Sequence, residues 1–153
     1  MVKSLLLIAI ALINLGWIDS AAATTKDIRL NSEQGYRVET SFSYDEDRVK
    51  NAIAIQGRGA TKDIDFLKVS FYSPDEEMIA SYDNIVDGMV QANYFEFHYD
   101  PATQQLLGEM DLGGESAGEI YLKGNVKQGL VLIEVEPSGE EKTMNSGKWA
   151  VGD

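Results

Sequence analysis

Residues 36–45, Tyr-Arg-Val-Glu-Thr-Ser-Phe-Ser-Tyr-Asp, set Tyr36, Val38, Phe42 and Tyr44 at even steps with polar side chains between them. In an extended chain successive side chains point to opposite faces, so a period of two predicts a strand with one face buried and one face wet. Shorter or weaker versions of the pattern recur at 53–55, 66–72, 78–82, 94–99, 106–112, 119–123, 130–135 and 148–151. No long segment carries the 3.6-residue apolar stripe of an amphipathic helix. A chain written this way is expected to be all-β.

The three prolines agree. Ser73-Pro74-Asp75-Glu76, Asp100-Pro101-Ala102-Thr103 and Glu136-Pro137-Ser138-Gly139 each stand between two strand-like runs. Proline presets φ at the second turn position and cannot donate to a central ladder, so these tetrapeptides read as hairpin turns. Tyr44, Tyr72 and Tyr99 each close a run of similar ending, an imperfect recurrence that fits a meander of hairpins better than a solenoid. The expected fold is an antiparallel meander of about eight or nine short strands, forming a single β-sandwich or a small up-and-down barrel.

The N-terminus has another character. Lys3 precedes the apolar run 5–13, and Ala21-Ala22-Ala23 stands before Thr24, the order of charge, apolar core and small residues that marks a secretory leader. A membrane-spanning helix needs about 20 apolar residues, which this run does not reach. The expectation is therefore a leader over residues 1–23 and one all-β domain over 24–153, exported to a bacterial periplasm or the extracellular space. No stable membrane anchor is expected after the leader is removed.

Charge and cysteine content narrow the function classes. With 13 basic and 25 acidic residues the formal net charge is −12, and no local cluster of Lys and Arg exists to neutralise phosphates, so nucleic acid is not an expected partner. The sequence has no cysteine, so stability must come from burial rather than a disulfide framework.

Several residue groups invite a chemical reading. Gly114-Glu115-Ser116-Ala117-Gly118 matches the G-x-S-x-G nucleophile elbow, but the elbow requires a strand-to-helix turn and a histidine later in the chain, whereas His98 is the sole histidine and precedes Ser116. A glycine-rich turn is the expectation there. On a strand, Glu96 and His98 share one face while Phe95, Phe97 and Tyr99 share the other, which makes Glu96 and His98 the candidate ligand-binding pair. Zinc is not expected, since it normally recruits at least three protein ligands rich in His or Cys.

Oxygen ligands leave calcium as the candidate metal, with Asp83, Asp87 and Asp111 as its candidate residues. The segment 83–88 is not an EF-hand loop, because Ile85 stands at its third position and Tyr94 at its twelfth. Aromatic residues are expected to point inward, where they either fill a core or, in a closed barrel, line a pocket. No cofactor other than calcium is expected. The function expected from all this is that of an exported, non-catalytic domain that binds a small ligand or a surface partner. The alternatives are a barrel carrier of an apolar ligand and a calcium-binding β-domain.

Overall fold

The computed structural model describes residues 23–57, 63–86, 89–90 and 94–152. In chain order the strands are β1 (Ala23–Ser32), β2 (Arg37–Asp45), β3 (Ile53–Gly57), β4 (Phe66–Tyr72), β5 (Met78–Asp83), β6 (Ile85–Val86) and β7 (Met89–Val90). They continue as β8 (Phe95–Asp100), β9 (Gln105–Leu106), β10 (Glu109–Gly113), β11 (Ile120–Asn125), β12 (Gly129–Val135), β13 (Glu141–Gly147) and β14 (Trp149–Gly152). No helix occurs among the described residues.

Sheet I has the order β14-β1-β2-β4-β5, and sheet II has the order β13-β12-β11-β10-β8-β3, with β9 paired to β8. The short pair β6-β7 stands apart from both. Every pairing in the two sheets is antiparallel. The chain passes between sheets from β2 to β3, from β3 to β4, from β5 to β8 and from β13 to β14, while β10 to β13 follow one another as hairpins. The two sheets pack face to face and do not close, which makes the fold a β-sandwich rather than a barrel.

Alternation in sequence becomes the two sides of each sheet. Sheet I sends Leu30, Val38, Phe42, Leu67, Val69 and Phe71 inward, and sheet II answers with Ile53, Ile55, Phe95, Phe97, Leu112 and Leu122, all at most 1% exposed. The Phe42 ring meets those of Phe97 and Tyr99 edge-on, each at 5.0 Å between centroids. That separation is ordinary aromatic contact, so the rings occupy the space between the sheets. At the rim Tyr82 reaches across from β5, and its hydroxyl accepts a hydrogen bond from the Ile120 amide of β11 at 2.9 Å.

Two of the three proline turns share one geometry. In the turn from β4 to β5 the Glu76 amide donates to the Ser73 carbonyl and the Ser73 amide to the Glu77 carbonyl; from β12 to β13 the Gly139 amide donates to Glu136 and the Glu136 amide to Glu140. The fourth residue is left-handed in both, with φ of 63° at Glu76 and 87° at Gly139. The third turn is held by the Asp100 carboxylate, which accepts from the Ala102 amide at 2.9 Å and the Thr103 hydroxyl at 2.8 Å. Those donors favour the charged form and hold the Asp100 carboxyl below the usual carboxylate range.

The structure has more strands than the sequence pattern predicts. β13, Glu-Lys-Thr-Met-Asn-Ser-Gly, is an edge strand whose inward residues are only Met144 and Asn145, so no apolar alternation announces it. β1 begins at Ala23, the last residue of the expected leader, and the rest of that leader lies outside the described residues.

Candidate functional site

The outer faces of the two sheets carry different chemistry. On sheet II the register sets Gln56, Glu96, Asp111, Lys123 and Val131 side by side across β3, β8, β10, β11 and β12. His98 lies two residues along β8, and one ring nitrogen is 3.3 Å from Glu96 Oε1. The strand period therefore brings Glu96 and His98 together, and cross-strand pairing adds Asp111 beside Glu96.

Asp111 is half-buried, and this burial, with the nearby charge of Glu115 and a smaller contribution from Glu96, pushes its carboxyl up to about 6 against the opposing pull of Lys123. The group can thus gain or lose a proton close to neutral pH. Lys123 is itself turned toward Tyr121, donating to its hydroxyl at 3.1 Å and lying 4.9 Å from its ring centroid. Tyr121 is fully buried in a small apolar cluster with Ile133 and Val135, a satellite of the main core.

Asp83 lies elsewhere. It is paired with Lys68 at the edge of sheet I, on the outer face because its neighbour Tyr82 packs inward. The core thus separates Asp83 from Asp111, and Asp87 lies outside the described residues. Among the described residues no group of three or more His, Asp or Glu side chains is arranged to hold a metal ion.

Ser116 sits on an exposed turn between two strands. Its amide donates to Glu119 Oε2 at 2.8 Å, and the Glu119 amide returns to the Ser116 carbonyl at 2.9 Å. The following strand, β11, closes against Gly113, whose φ is 126° and where a Cβ would lie 2.3 Å from the Ile120 carbonyl oxygen. This strand-turn-strand geometry lacks the helix on which a nucleophile elbow depends.

Sheet I presents a second surface that the sequence does not single out. Three cross-strand rows run over β1, β2, β4 and β5: Asn31, Arg37, Tyr72 and Met78; then Arg29, Glu39, Ser70 and Ser81; then Asp27, Ser41, Lys68 and Asp83. The short side chains Ser41 and Ser70, with Gly152 beside Arg29 on β14, sit low between Arg29, Lys68, Tyr72 and Met78. The result is a solvent-open trough of about 490 Å³.

Arg29 and Glu39 of the lining are held together with the neighbouring Arg37. Arg29 Nε donates to Glu39 Oε1 at 3.1 Å, and Arg37 Nε lies 3.2 Å from the same oxygen, close enough for an ion pair but off the line of a hydrogen bond. The Arg37 guanidinium stacks over the Tyr72 ring at 4.2 Å. The signal available in sequence was partial: the outward residues Arg37, Glu39 and Ser41 alternate with the inward apolar set of the clearest strand, but their partners come from four other strands.

No known protein family, curated protein or solved structure matches this chain.

Proposed function

We propose that this chain is an exported, non-catalytic binding domain that takes its ligand on the outer face of sheet I. The observation that carries the reading is the trough of about 490 Å³, whose lining mixes Arg29, Glu39, Lys68, Ser70, Tyr72 and Met78. Binding sites are concave and combine apolar surface with a few fixed polar groups, and this volume falls within their usual range of about 300–1,000 Å³. The filled aromatic core counts against a carrier of an apolar ligand, which needs a void between the sheets.

The test is a binding screen of the purified protein on immobilised glycans and peptides, beside Ser41→Trp, a substitution that fills the trough. Saturable binding that the substitution abolishes is the expected result. Turnover on a panel of esters, glycosides or phosphates that disappears with His98→Ala or Ser116→Ala would overturn the reading.

A further inference from the structure

We infer that the ligand of this trough is an acidic polysaccharide, a hydroxyl-rich chain bearing carboxylate groups; this rests on the binding reading above. Two arginines converge on one carboxylate, so the Arg29-Glu39-Arg37 group keeps a net positive charge. Both approach Glu39 through Nε, and Arg29 remains 47% exposed. The hydrogen bond to Glu39 uses Nε, and the terminal nitrogens of a guanidinium fork have the geometry that pairs with a planar carboxylate. Stacking on Tyr72 and the approach to Glu39 fix Arg37, so less side-chain freedom is lost when a ligand arrives.

The row beside it has the complementary chemistry. Lys68 is flanked by Ser41 and Asp83, and Asp27 lies beyond Ser41. Carboxylates on both sides of Lys68 direct a ligand's own carboxylate toward the arginines and offer acceptors to its hydroxyl donors. Ser41 and Ser70 add groups that donate and accept. Met78, 61% exposed at the trough wall, supplies an apolar contact for the C–H face of a sugar ring. A ligand satisfying both rows carries carboxylates for the arginines and hydroxyls for the row beside them.

The experiment is calorimetric titration of the purified protein with polygalacturonate oligosaccharides and with neutral galactan oligosaccharides of the same length, at low and high salt. The acidic oligosaccharide is expected to bind, to weaken as salt rises, and to weaken about tenfold or more in Arg29→Gln, the loss of one charge-assisted hydrogen bond. Arg29 is exposed, so this variant is expected to keep the native melting temperature. Equal binding of the neutral chain, indifferent to Arg29→Gln but lost in Ser41→Trp, would overturn the acidic class and leave the trough reading intact. Binding of either chain that survives Ser41→Trp in a folded variant would overturn the trough itself. Absence of polygalacturonate binding at millimolar concentration would overturn the inference.

Discussion

Asp111 shows how one residue's surroundings set its chemistry. Its carboxyl lies half-buried beside Glu96 and Glu115, and the loss of water costs the charged form more than Lys123 returns. A folded-state value raised to about 6 means that the folded protein holds this proton over a range in which the unfolded chain has released it. The stability contributed by Asp111 is therefore fully present below the ordinary carboxylate range and is lost as pH rises through about 6. Asp111→Asn, which cannot ionise, should melt about 2–4 °C above the parent at pH 8, taking on the order of 1 kcal/mol for a group still screened by solvent. At pH 4 the two should melt together. Thermal melts followed by circular dichroism across that range check it, and an equal difference at both pH values would remove the electrostatic cause. The adjacency of Glu96 and His98 follows from strand period alone, whereas the contact of Asp111 with Glu96 depends on which strands pair, and nothing local in sequence encodes that pairing.

At the scale of elements, the turns were the most legible part of the chain and β1 and β13 the least. Pro74 and Pro137 announce two hairpin turns because proline's fixed φ matches the second turn position whatever surrounds it. The fourth position differs: glycine at 139 adopts φ of 87° without cost, while Glu76 holds 63° against the clash of its own Cβ. Glu76→Gly should accordingly stabilise the protein by roughly 0.5–1 kcal/mol, net of glycine's extra freedom in the unfolded chain. Urea denaturation checks this through a higher midpoint at unchanged slope. Pro137→Ala would be expected to act on the other turn only, leaving that gain untouched. β2, β4, β8 and β12 were readable because buried apolar or aromatic residues mark their inner faces. β13 was not, because a polar edge strand needs only its neighbour's backbone to form.

For the whole molecule, the decisive question was where the aromatic rings go. Alternation placed them inward but left barrel and sandwich equally open, since both satisfy the same period. The pairing of β14 with β1 and of β13 with β12 resolves it: consecutive C-terminal strands part to opposite sheets, leaving β5 and β14 as the edges of one sheet and β3 and β13 as the edges of the other. With the Phe42 ring set against those of Phe97 and Tyr99 between the sheets, the proposed ligand surface is the outer trough, which assembles from residues 27 to 152 that no sequence window contains.

The most direct test of this arrangement is an amide and side-chain NMR titration of the purified protein with polygalacturonate oligosaccharides. Shift changes are predicted at Arg29, Glu39, Ser41, Lys68, Ser70 and Tyr72, with the Phe42, Phe97 and Tyr99 rings unmoved. Changes centred on those rings, or on Glu96, His98 and Asp111, would contradict it.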